Sequence, residues 1–153
     1  MRYAETTTKT PVDKTRTEIE AALRRYGATA FGYAWSPTAA SIMFEIDGRQ
    51  VRIMLPLPDR KERRFTHHSR GERSTEMAEQ VYEQACRQSW RALLLVVKAK
   101  LEAVAAGISS IEREFLADVV LPDRSTIGEW VRPQLERAYA GHDMPALLPG
   151  GPS

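Results

Sequence analysis

Residues 74–106 contain neither proline nor glycine, and Gly107 closes the run. A segment this long without a breaker reads as one helix. At about 1.5 Å per residue it spans roughly 45–50 Å, long for one small domain and long enough to admit a kink. Ser74 is placed to cap it, because its hydroxyl can accept from an otherwise unpaired N–H of the first turn. Glu76 and Glu79 suit the positive end of the helix dipole, and Gly107 suits the left-handed residue just past the end. Stepped at about 100° per residue, Tyr82, Cys86, Trp90, Leu93, Val97, Leu101 and Val104 share one face. Gln80, Gln84, Arg87, Arg91, Lys98 and Glu102 share the other. Leu94, Leu95 and Val96 widen the apolar arc, which predicts that this turn is covered on more than one side.

The rest of the chain must be organised against that helix. With 153 residues it suffices for one domain with a real core and is too short for two ordinary ones. A single cysteine, Cys86, rules out a disulfide framework and fits a reducing cytoplasm. No apolar run reaches the length of a membrane span, and the first residues lack the apolar stretch of a signal peptide. The formal net charge of +2 implies no polyanion partner by itself; its distribution matters more.

Taken in order, residues 1–12 read as a loose, Thr-rich arm. A helix follows, with Thr15 and Glu18 at capping-box spacing and Ile19, Ala22, Leu23 and Tyr26 as its apolar stripe; Gly27 ends it. Residues 30–35 form a strand with Phe31, Tyr33 and Trp35 on one face, and residues 36–38 a turn. Asp47-Gly48 between two alternating runs is a strong two-residue hairpin signal. It pairs Phe44 with Val51 and Ile42 with Ile53 on the core face, leaving Met43, Glu45, Gln50 and Arg52 on the other.

Residues 59–73, DRKERRFTHHSRGER, show no periodicity and read as a long mobile loop. Beyond Gly107, Ser109 and Glu112 open a short helix with Ile111, Phe115 and Leu116 inward. Residues 119–121 are extended. Thr126 and Glu129 repeat the capping-box spacing before a last helix. Pro133 belongs in or near a first turn, which moves the expected start of that helix to about Val131. Residues 142–153 form a tail in which Met144, Leu147 and Leu148 can dock on the body. The fold class expected is α+β: a three-stranded antiparallel meander on a long central helix, in the order α-β-β-β-α-α-α. It forms one domain over residues 13–141.

The chain shows no Walker-type loop, GxGxxG, GxSxG or HExxH. His67 and His68 are adjacent, which does not suit joint ligation of one metal. Cys86 sits on an apolar face without a paired histidine. Enzyme function is therefore the minority reading, left open as an enzyme whose site the sequence does not show, and no cofactor or metal is expected. The basic residues carry the stronger signal. Arg60, Lys61, Arg63, Arg64, Arg70 and Arg73 crowd the 59–73 segment, with Phe65 among them available to stack on a base. Arg87, Arg91 and Lys98 form a row on the central helix. Arg dominates over Lys, which favours bidentate phosphate contact. These residues are the candidate nucleic-acid interface; the competing reading is a set of ordinary solvated faces.

From Gly48 onward the chain resembles a family of uncharacterised phage and prophage proteins. The resemblance rests on GRQVRIMLPLPD (residues 48–59), EQACRQSWRALLLVVKAKLEAVAAGI (83–108), FLADVVLPDRSTIGEW (115–130) and MPALLPG (144–150). It implies a virus-derived gene acting in a bacterial cytoplasm and assigns no activity. The α-β-β-β-α order also looks like the double-stranded-RNA-binding fold, although Ser74-Thr75-Glu76-Met77 stands where that fold starts its last helix with Lys-Lys-x-Ala-Lys. The function expected is a phage-derived accessory protein that binds nucleic acid through its phosphates. The alternative is a protein–protein binder, such as a viral inhibitor or modulator of a host factor.

Overall fold

The computed structural model describes residues 8–141 and Met144. Helix α1 covers Val12–Arg25. Strands β1 (Ala30–Trp35), β2 (Ala39–Ile46) and β3 (Arg49–Pro56) follow. Then come a one-turn helix α2 (Arg63–Thr66) and a two-residue hairpin, β4 (His67–His68) with β5 (Gly71–Glu72). The long helix α3 spans Thr75–Ala105. Helix α4 (Ile111–Phe115), a 3-10 turn (Leu116–Asp118) and helix α5 (Ile127–Gly141) complete the chain. This is an α+β fold with a three-stranded antiparallel sheet of order β1-β2-β3.

The hairpin forms as its sequence dictates. Asp47 and Gly48 both have positive φ, 49° and 71°, the conformation of a type I′ turn. Phe44 therefore faces Val51 and Ile42 faces Ile53. Ala40, Ile42, Phe44 and Ile46 are buried along one face of β2. Helices α1 and α3 cover that face: Ile19 and Leu23 from α1, and Trp90, Leu93, Leu94, Val97 and Leu101 from α3, complete one continuous core. Each fully buried side chain of this kind contributes about 1.5–3 kcal/mol. The two helices run parallel. Val12 lies beside Glu83 and Cys86, and one turn and a half further along Glu18 bonds Arg91.

Both helices end alike. Ala28 N–H donates to Leu23 O and Gly27 N–H to Arg24 O; Ile108 N–H donates to Ala103 O and Gly107 N–H to Val104 O. These are Schellman closures around left-handed glycines, φ 102° and 79°. In the same core, Phe115 of α4 meets Phe44 edge to face at 5.4 Å. Val119 bridges to Val51 and Val120 to Thr126, so the outer edge of β3 is occupied.

Several expectations are corrected. Helix α1 starts at Val12, not Thr15, because Pro11, with φ −59°, leads directly into it. Thr15 is buried inside the helix and its hydroxyl has no hydrogen-bond partner. Ser110, not Ser109, caps α4, accepting from Arg113 N–H at 3.2 Å. The capping box of Thr126 and Glu129 does form, with bonds of 3.1 and 3.2 Å. It starts α5 at Ile127 and leaves Pro133 inside the helix. Leu95 and Val96 are exposed, so α3 is covered on one side only at that turn. Residues 59–73 are not a structureless loop but an ordered excursion carrying α2 and the β4–β5 hairpin. Thr8, placed in the expected loose arm, is buried; Met144 is exposed rather than docked. Residues 1–7, Leu147 and Leu148 lie outside the described residues.

Candidate interaction surfaces

The 59–73 excursion is held at its centre by Phe65. Its ring is buried, 2 % exposed, and meets Tyr82 of α3 edge to face at 5.6 Å. The expectation that Phe65 stacks on a base is therefore corrected: an aromatic side chain in a polar segment found the nearest apolar surface, the first turns of α3. Local bonds set the entry. Asp59 N–H donates to the Glu62 carboxylate, Lys61 N–H to Asp59, and Arg73 N–H to Thr66 O at 2.6 Å.

The cations divide into two groups. Arg60 pairs with Glu79 and lies 4.1 Å from the Tyr82 ring centre; the hydrogen bond to Glu79 raises its pKa. Arg64 pairs with Glu62 at 2.6 Å, and Arg73 donates to His67 O at 3.2 Å. On α3, Arg87 bonds Gln84 at 2.7 Å and Arg91 bonds Glu18 at 3.0 Å, both partly buried. The row of Arg87, Arg91 and Lys98 is thus not one solvated stripe, because two of its members are engaged at its α1 end. Lys61, Arg63, Arg70 and Lys98 stand exposed, with no side-chain bond to a described residue.

Two of the exposed apolar stretches lie where the charge pattern does not mark them. The first is α5. None of its residues is buried, and Trp130, Leu135 and Tyr139 are 38 %, 52 % and 78 % exposed. Its first turn is fixed to the body by Arg52, which bonds Arg124 O at 2.9 Å and pairs with Glu129 at 3.5 Å. Gly128 lies so close to the 3-10 turn that a Cβ there would sit 3.0 Å from Ala117 O. Beyond that turn, Val131, Leu135 and Tyr139 recur at four-residue spacing.

The second place is β1. Tyr33 and Trp35 share the face of Phe44 and Ile42, yet they are 51 % and 72 % exposed. The helical cover ends at Arg16, whose guanidinium lies 3.9 Å from the Tyr33 ring centre and 5.6 Å from that of Trp90. Between α1 and β1 runs a shallow groove of ≈ 560 Å³, with Asp13, Arg16 and Glu20 on one wall and Phe31 and Tyr33 on the other.

Burial pushes the Cys86 thiol up, against the lowering effects of a hydrogen bond from Tyr82 and the charge of Arg60; a raised pKa disfavours the reactive thiolate. His67 Nδ1 bonds the Thr66 hydroxyl at 2.7 Å, and His68 Nδ1 accepts from Arg70 N–H. Among the described residues no group of three or more His, Cys, Asp or Glu side chains could hold a metal ion. No described helix is long and apolar enough to cross a membrane. No family model matches the chain, and neither a curated protein nor a solved structure matches it.

Proposed function

We propose that the chain is a non-catalytic accessory protein that works by binding another protein, and that α5 is the element it presents. The observation that supports this is α5 itself, a helix of fifteen residues with none buried and large apolar side chains outward. An amphipathic helix of this kind suits a hydrophobic groove on a partner; here the stripe of anchors, four residues apart, is Val131, Leu135 and Tyr139. The resemblance to phage and prophage proteins, taken as an expectation, would imply a partner in a bacterial cytoplasm. The test is affinity purification from host lysate at high salt after nuclease treatment, with wild type and Leu135→Ser/Tyr139→Ser side by side. A protein retained by wild type and lost by the variant, with thermal stability unchanged, is the expected result. Equal retention by both removes α5 from the reading.

Nucleic-acid binding stands second, favoured by the exposed Lys61, Arg63 and Arg70 on a segment anchored by Phe65. Each phosphate contact contributes about 0.9 to the log–log salt slope on duplex DNA. Arg63→Ala/Arg70→Ala should therefore lower that slope by nearly two units; absence of wild-type binding at low salt removes this reading.

A further inference from the structure

Among the described residues β1 is an edge strand with no partner on its outer side, and the direction of its backbone groups follows from one bond. Ser36 N–H donates to Ala39 O at 2.7 Å, so positions 36 and 39 form a hydrogen-bonded pair. Antiparallel pairs alternate between bonded and non-bonded. In the β1–β2 register the bonded pairs are then Ala34 with Ser41, Gly32 with Met43 and Ala30 with Glu45. The N–H and C=O groups of Phe31, Tyr33 and Trp35 point the other way, to the edge. No described residue outside the sheet bonds them. Edge strands are ordinarily blunted by charge, proline or a bulge; β1 reads AFGYAW and has neither charge nor proline.

We infer that this edge pairs with β1 of a second copy of the chain, antiparallel about a two-fold axis at Tyr33, joining two sheets into one of six strands. Two features fit that occupant. The outward groups at positions 31, 33 and 35 are symmetric about 33, so Tyr33 meets Tyr33 of the second copy and Phe31 meets Trp35, and every outward group is bonded. The side chains then form aromatic cross-strand pairs on one face, each contributing roughly 0.2–1 kcal/mol. Gly32 and Ala34 meet on the other face without a clash. An isologous interface requires this self-complementarity. A peptide of another protein would need none of this symmetry. The inference does not depend on the α5 reading, which uses a different element.

The experiment is sedimentation over micromolar to near-millimolar concentration, with crosslinking in a Cys86→Ser background. Wild type should pass from the 17.3 kDa monomer to twice that mass, and Tyr33→Lys, which sets two like charges side by side, should stay monomeric with its melting temperature kept. Bonded antiparallel partners have Cα atoms about 5.5 Å apart, inside the disulfide range of about 4.4–6.8 Å. Oxidised Tyr33→Cys should therefore crosslink to a dimer. Trp35→Cys should not, because its counterpart lies four residues, about 14 Å, along the strand. Wild type at monomer mass throughout overturns the inference. So does a dimer indifferent to Tyr33→Lys, or one that crosslinks through Trp35→Cys and not Tyr33→Cys.

Discussion

Replacing Phe65 by alanine separates a docked segment from an integral one. Phe65 and Tyr82 are both buried but lie apart from the main core built on β2, α1 and α3. Burying the ring contributes about 1.5–3 kcal/mol and the edge-to-face pair about 0.5–1.5 kcal/mol more. Apart from the exposed Arg60–Glu79 pair, this ring is the segment's buried anchor on α3, and Phe65→Ala removes it. The segment then detaches while the core stays folded. The assay has two readouts. Hydrogen exchange at the Thr66 and Arg73 amides, bonded to Glu62 O and Thr66 O, should rise to loop values. Global stability, from denaturant melts followed by tryptophan fluorescence, should fall by less than the roughly 3–5 kcal/mol of a core Phe→Ala change. A full core penalty, or unchanged protection at those amides, would refute the reasoning.

Three further outcomes are expected. Gly48→Val forces a β-branched residue to φ 71° and should cost about 1–2 kcal/mol in denaturant melts; a neutral result would contradict the type I′ turn. Leu93→Ala should cost about 2–5 kcal/mol, since Leu93 sits in the core, and a loss below about 1 kcal/mol would place the wrong face of α3 inward. Burial raises the Asp118 pKa, with the Lys100 charge opposing. Its folded value thus lies above its unfolded value, so its contribution to stability is present below the unfolded pKa and lost as pH rises through the folded one. Asp118→Asn should therefore melt higher than wild type near neutral pH and no higher in acid; the reverse order would show a carboxylate stabilised by the fold.

The sequence made the backbone plan readable where one local cue acted alone. Asp47-Gly48 set the hairpin and its register, and Gly27 and Gly107 ended their helices. Where two cues conflicted, the one with more bonds prevailed. Thr126 and Glu129 satisfy two first-turn groups, whereas Pro133 forfeits one bond to Glu129 O, so α5 starts at Ile127. Residues 59–73 were unreadable because their order rests on a tertiary contact, Phe65 on Tyr82, that periodicity cannot show.

Which side chains remain available was harder to read than which are present. Arg91 is engaged by Glu18, 73 positions away, and Arg60 by Glu79, 19 away; no charge count anticipates either pair. Tyr33 and Trp35 alternate like core residues, and only the position of Arg16 shows that the helical cover stops short of them. Two separate exposed apolar sites follow. One is the β1 edge, which no described residue outside the sheet bonds. The other is α5, which follows the segment that bonds the β3 edge through Val120 N–H and Gln50 O at 2.8 Å. Because β2 lies between β1 and β3, pairing through β1 leaves the α5 of each copy uncovered. On the two proposals together, the dimer carries two α5 helices, and its affinity for a partner with two grooves should exceed that of the Tyr33→Lys monomer by the effective-concentration factor, up to about 10²–10⁴ where both can be engaged. A monomer that binds such a partner as tightly as wild type would mean that the two surfaces act independently.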